Sequence, residues 1–315
     1  MLPLFDDPEE HAAKRQLADR LRALAAEQVF LGASSWKYEG WLGDIYTPGR
    51  YTTRGKFSPK RFEAECLAEY AEVFPVVCGD FSFYQFPTPE FWGRLFAGAP
   101  PPLKFAFKVP EEITVKQWPT HPRYGPRAGL ANETFLAPDV FEAGFTSLLA
   151  PYAHRVVTLI FEFTPFARGD GGEFLARLEP FLKSLPENFR YAVEIRNPEI
   201  LKPDYLQLLE ETQTAHVLNS WTRMPELSAQ AETPGIFTTD FAVVRALLKP
   251  GRAYEAAVQA FSPYQAVQDP YPKGREAIKR LIERTKVLRQ PIYVFVNNRF
   301  EGNAPGTLRA ILDGE

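Results

Sequence analysis

Eight short apolar runs alternate with helical patterns along almost all of this 315-residue chain, and that alternation leaves few folds open. The runs are 29–34, 76–84, 104–109, 156–163, 190–198, 216–218, 241–247 and 292–296. Between them, apolar residues recur at helical spacing over 62–74, 89–97, 139–150, 173–185, 203–213 and 275–288, and 305–312 closes the chain. Strands separated by helices pair in parallel, and eight such units favour closure into a single α/β barrel of the (β/α)8 TIM type. A further helical pattern over 8–27 places Leu17, Leu21 and Leu24 on one stripe ahead of the first strand. The expected organisation is an N-terminal helical extension over 1–28 and one barrel domain over 29–315.

Proline is abundant, 29 of 315 residues, roughly twice the ordinary share. Proline is excluded from helix interiors and central strands, so the connections must be long and conformationally defined. The longest, 110–138, carries Trp118, His121 and Tyr124 and has the length of a functional loop or lid. Cys66 and Cys78 are too few for a disulfide framework and read as small buried hydrophobes. The acidic residues 1–10 lack the pattern of a secretory signal, and no run reaches the ~18 apolar residues of a membrane span. A cytoplasmic protein without a membrane partner is the expectation.

The run over 190–198 is the most informative. Strand side chains alternate between faces, so Ala192, Glu194 and Arg196 share one face and Val193 and Ile195 the other. Charges on one face with β-branched residues behind them suit the open end of a barrel strand, where the interior meets a ligand. The same count along the other strands brings Ser34, Trp36, Asp80, Tyr84, Lys108, Glu162, Arg245 and Asn297 or Asn298 to that mouth. Lys and Glu are rarely buried unless paired, so the bland reading pairs Lys108 with Glu162 and Arg196 with Glu194. The functional reading is a site for a small anionic or sugar-like molecule. Arg196 and Arg245 would clamp a carboxylate or phosphate with planar forks of donors, and Trp36 and Tyr84 would offer flat faces. Lys108 is the leading candidate for chemistry, as base or Schiff-base amine, and Glu162 and Glu194 could instead form an acid/base pair.

Other chemistries have weaker footing. His11, His121, His154 and His216 lack zinc-ligand spacing, and no glycine-rich phosphate loop supports NAD or ATP. No cofactor is evident, although magnesium would suit the oxygens of Asp80, Glu162 and Glu194. The net charge of −3 gives no global case for nucleic acid. Locally, 47–61 holds Arg50, Arg54, Lys56, Lys60 and Arg61 without an acid, interleaved with Tyr51 and Phe57. That pattern fits either a solvated loop, the favoured reading, or a nucleic-acid surface.

Several of these residues resemble the YecE-like barrels, a family defined by a domain of unknown function. The resemblance rests on Gly32 with Ser35-Trp36, Tyr38, Trp41, Gly43 and Tyr46-Pro48; on Tyr70-Ala71 with Phe74; on Phe83-Tyr84 with Pro87; on Phe105-Ala106-Phe107-Lys108; and on Glu194 with Arg196, Arg245 and Asn297-Asn298. It spans roughly 30–313 and implies a TIM-type barrel without an established activity. The chain departs from the family pattern at Cys78 and Asp80, at Glu162, at Val115 after Thr114, and at Ala246-Leu247 after Arg245. These mark a divergent branch. Three functions follow for test: an enzyme at the barrel mouth, a non-catalytic metabolite-binding protein using the same mouth, and a nucleic-acid-associated protein using 47–61.

Overall fold

Eight parallel strands close into a barrel in the computed structural model, which describes residues 8–167 and 169–314. In chain order they are β1 (Val29–Ala33), β2 (Val76–Gly79), β3 (Lys104–Lys108), β4 (Val156–Glu162), β5 (Tyr191–Glu194), β6 (Ala215–Ser220), β7 (Ala242–Ala246) and β8 (Ile292–Val296). Each pairs with its sequence neighbours, and β1 completes the ring by lying beside β8, with Gly32 opposite Phe295. Gly32 permits a close approach on its other side, since a Cβ there would fall 1.9 Å from the Val76 carbonyl oxygen.

The outer layer comprises α2 (Pro59–Val73), α3 (Pro89–Gly98), α4 over 138–149, α5 (Gly171–Lys183), α6 (Pro203–Glu211), α7 (Leu227–Ala231), α8 (Pro272–Leu288) and α9 (Ala304–Asp313). Many prolines find their use here. Pro59, Pro89, Pro138, Pro203 and Pro272 stand in first helical turns, where the missing N–H is not needed. Ser58 and Thr88 cap α2 and α3 by accepting hydrogen bonds from the backbone N–H groups of Arg61 and Phe91. The leading helix α1 (Pro8–Ala26) packs on β1 and α2, burying Leu17 and Leu21. Residues 1–7 of the expected extension lie outside the described residues.

The barrel interior is apolar below and charged above. Phe30 stacks on Tyr293 at 5.1 Å, and Phe241 meets the same ring edge-on at 6.4 Å. Above them sit Cys78, Ala106, Ile160, Ala192, Val217, Val243 and Phe295. Two residues further along β3, β4, β5 and β7, the same face carries Lys108, Glu162, Glu194 and Arg245. Both cysteines are free and buried, and burial pushes each thiol up to about 12. Among the described residues no helix is long and apolar enough to cross a membrane.

Three expected elements differ. Strand β2 stops at Gly79, not at residue 84, and a 3-10 turn over Phe81–Phe83 follows. Strand β6 is longer than 216–218, because pairing with β7 holds Asn219 and Ser220 in the ladder, opposite Arg245 and Ala246. The connection 110–138, expected as one long loop, holds a helical turn (Glu111–Thr114), a 3-10 stretch (Pro122–Arg127) and its own cluster of Val115, Trp118 and Tyr124.

The basic stretch 47–61 is a 3-10 turn, a two-stranded hairpin and the start of α2. Its Tyr51 is buried, with the hydroxyl donating to Glu69 at 2.6 Å. Lys14 and Thr47 also donate to Glu69, at 2.7 Å each. Burial would raise the Glu69 carboxyl, yet these donors hold it below the usual carboxylate range. Arg50 pairs with Glu72 at 2.7 Å and Arg61 with Glu65 at 3.1 Å. Two of the five cations are thus spent within the fold.

Candidate functional site at the barrel mouth

The C-terminal ends of four strands converge on one buried ion cluster. Lys108 Nζ of β3 lies 3.1 Å from Glu162 Oε1 of β4. Arg196, just past β5, places Nη2 3.0 Å from Glu162 Oε2 and 2.7 Å from Glu194 Oε1. Arg245 Nη1 of β7 lies 2.5 Å from Glu162 Oε2 and also bonds Glu194 Oε2. Glu162, Arg196, Glu194 and Arg245 therefore form a closed ring of alternating charge, with Lys108 attached at Glu162. The ring is deeply buried: Glu194 is 0% exposed, Arg245 4% and Arg196 5%.

Five charged groups give three cations against two carboxylates. Burial opposes ionisation of Glu162, but Lys108, Arg196 and Arg245 hold its carboxyl well below the usual range. Burial likewise works against the Arg245 charge, and Glu194 with Glu162 overcomes it and raises that group above its ordinary value. Both carboxylates touch the same guanidinium nitrogens, and Glu162, held ionised by them, is not the protonated partner of an acid/base pair. Glycoside-type cleavage needs one carboxyl kept neutral, and this environment does the reverse for Glu162.

Aromatic faces complete the cluster. Lys108 Nζ sits 3.7 Å from the centroid of Phe83, and the Arg196 guanidinium carbon 3.9 Å from that of Trp221. Neither Phe83 nor Trp221 was expected there. Phe83 reaches Lys108 because the 3-10 turn after Gly79 rotates the chain out of strand alternation. Trp221 lies two positions beyond Asn219, an alternation readable only if β6 runs past residue 218.

Other expected residues divide between the mouth and elsewhere. Ser34 is buried at the end of β1, its N–H donating to Val296 O at 3.0 Å. Asn297 is buried beyond β8 and caps the next helical turn, accepting from Arg299 N at 3.0 Å. Asn298 serves the fold: its Oδ1 accepts from Ala304 N at 2.8 Å and from Trp41 Nε1 at 3.3 Å. Tyr84 stands on the rim, 57% exposed, with the Arg123 guanidinium 5.1 Å from its ring. Trp36 is buried against Phe81 and lines, together with Asp80, a pocket between α2 and α3. His216 faces outward from β6, where Tyr205 Oη lies 3.1 Å from its Nδ1 and burial lowers the imidazole to about 4.

Magnesium gains no support from this geometry. Among the described residues no three His, Cys, Asp or Glu side chains gather as a ligand set. An ion at Glu162 and Glu194 would have to displace two guanidiniums and an ammonium from the same oxygens.

Some polar atoms remain unsatisfied. Among the described residues, the buried donors Arg196 Nη1 and Arg245 Nε, the hydroxyl Ser34 Oγ and the acceptors Glu194 Oε1 and Asn219 Oδ1 lack a hydrogen-bond partner. An unsatisfied buried polar group costs about 1–3 kcal/mol, more when charged, so their clustering makes this mouth the candidate site.

A family model described as "Protein of unknown function DUF72" matches residues 30–313. Among solved structures, a DUF72 family protein from Thermotoga maritima MSB8 is 20% identical, with a TM-score of 0.60 over 91% of this chain and 99% of its own. A DUF72 family protein from Enterococcus faecalis V583 is 15% identical, with a TM-score of 0.59 over 90% of this chain and 95% of its own. At such identities the likeness concerns the fold. No curated protein matches the chain.

Proposed function

This chain belongs to the DUF72 family, and from that barrel scaffold and the charge at its mouth we propose that it is an enzyme acting on a small anionic or sugar-like molecule. One observation carries the reading: three cations oppose two carboxylates in a buried cluster that leaves Arg196 Nη1 and Arg245 Nε without hydrogen-bond partners among the described residues. A carboxylate or phosphate oxygen would satisfy those donors and balance the remaining positive charge. Glu194 holds the two guanidiniums side by side, and Trp221 fixes the plane of one of them. Binding then needs little rearrangement.

Lys108 carries the chemistry in this account. Its ammonium is ion-paired with Glu162 Oε1 at 3.1 Å, and the Phe83 ring limits its freedom. An N–H of that ammonium can then donate a proton, or stabilise negative charge, at an oxygen of the bound anion. Glu162, held ionised, orients Lys108 and does not compete as an acid.

The experiment is a thermal-shift screen of sugar phosphates, sugar acids and inorganic phosphate against wild type and Arg245→Lys, with product assays on every stabilising compound. A ligand at a hundred times its Kd adds about 2.7 kcal/mol of stability. The reading predicts a stabilising anion that loses its effect in Arg245→Lys and is converted by wild type but not by Lys108→Ala. Stabilisation without conversion would leave a metabolite-binding protein. No stabilising anion at all would remove the mouth as the site.

A further inference from the structure

The pocket of Trp36 and Asp80, of about 440 Å3, opens between α2 and α3 on the outer side of the barrel wall. Its size lies within the usual range for small-molecule sites. Trp36, Phe81 and Phe91 form its aromatic floor, with Phe81 5.8 Å edge-on from Trp36 and 4.8 Å from Phe91. The end of β2 makes that floor, because a Cβ at Gly79 would lie 2.7 Å from the Phe81 ring. None of Lys108, Glu162, Glu194, Arg196 or Arg245 lines this pocket.

Four charges edge the floor. Lys37 and Glu63 pair with each other at 3.0 Å. Arg94 of α3 and Asp80 at the end of β2 are the other two, and neither side chain makes a hydrogen bond or ion pair with another described residue. Glu90, one turn before Arg94, feels its charge without bonding it. The pocket thus combines a large apolar surface with one unpaired cation and one unpaired carboxylate. A purely anionic ligand would confront Asp80, and a purely cationic one would confront Arg94. We propose that this pocket is a second ligand site and that it takes a free hydrophobic α-amino acid, such as one with an aromatic side chain. The apolar side chain rests on Trp36, Phe81 and Phe91, Arg94 receives the carboxylate, and Asp80 receives the ammonium.

Isothermal titration of the full chain with L-phenylalanine, 3-phenylpropionate and 2-phenylethylamine tests this. Wild type should bind L-phenylalanine at least tenfold more tightly than either analogue, each of which lacks one charge. Arg94→Gln and Asp80→Asn should each weaken that binding at least tenfold. Ala64→Trp, which fills the pocket from α2, should abolish it. Arg94 and Ala64 are exposed, so unchanged melting temperatures in those two variants keep the comparison clean. Arg245→Lys should bind L-phenylalanine as wild type does, which separates this site from the mouth. Absent binding, binding unaffected by Arg94→Gln and Ala64→Trp, or equal affinity for 3-phenylpropionate would overturn the proposal.

Discussion

Arg196 lies over the Trp221 ring, its guanidinium carbon 3.9 Å from the centroid, while its Nη2 bridges Glu162 and Glu194. The ring thereby fixes the orientation of a group that a strand end alone would leave to rotate. A desolvated cation–π contact is worth about 2 kcal/mol. Trp221→Leu should lower stability by roughly that amount in urea unfolding and weaken anion binding severalfold, whereas Trp221→Phe should recover much of both.

The two carboxylates of the ring are not equivalent. Glu194 is fully buried between two guanidiniums, so Glu194→Gln leaves both facing each other without full compensation. Breaking a buried pair in this way costs about 3–5 kcal/mol. Urea unfolding should show a loss of that order at Glu194→Gln, and a smaller one at Glu162→Gln, whose side chain is 16% exposed.

Acid should destabilise the protein in two stages. Burial lowers His216 from 6.5 to about 4, so between those values the unfolded chain binds a proton that the folded chain does not. Stability then falls as pH drops, by about 1.4 kcal/mol per pH unit at most for one such group. Glu162 acts lower down: its depressed pKa contributes stability above the ordinary carboxylate range, and this is lost as pH falls through the folded value. Unfolding free energies measured from pH 7 to pH 4.5 should show the first slope in wild type and a flatter one in His216→Gln.

The eightfold alternation, the closed barrel and the gathering of Lys108, Glu162, Glu194 and Arg245 could be read from the chain, because those residues follow interior positions by two along regular strands. Asp80, Tyr84 and Phe83 could not be placed in the same way. The strand rule ends at Gly79, where packing of Phe81 against Phe107 and Trp36 turns the chain into a 3-10 helix. Trp36 escaped for a related reason: β1 ends at Ala33, so parity beyond it carries no information. The length of β6 came from pairing with β7, since Asn219 and Ser220 have little strand preference of their own.

The basic stretch offers a separate check. Arg50 and Arg61 are paired with glutamates, which leaves Arg54, Lys56 and Lys60 as the cations of this stretch without an ion pair among the described residues. Three unpaired charges give a weak footprint for nucleic acid. Short single-stranded RNA should leave the melting temperature unchanged at low salt. A steeply salt-dependent shift that disappears in the Arg54→Gln, Lys56→Gln, Lys60→Gln triple variant would restore the nucleic-acid reading.

The most direct measurement is a charge ladder at the mouth. Lys108→Met brings the five-group cluster to neutrality, wild type carries one excess positive charge, and Glu162→Gln carries two. Titration with inorganic phosphate, and with any sugar phosphate that stabilises wild type, should rank affinity as Lys108→Met below wild type below Glu162→Gln, each step at least severalfold. Equal affinities across the ladder, in proteins whose melting curves show them folded, would contradict an anion site at the barrel mouth.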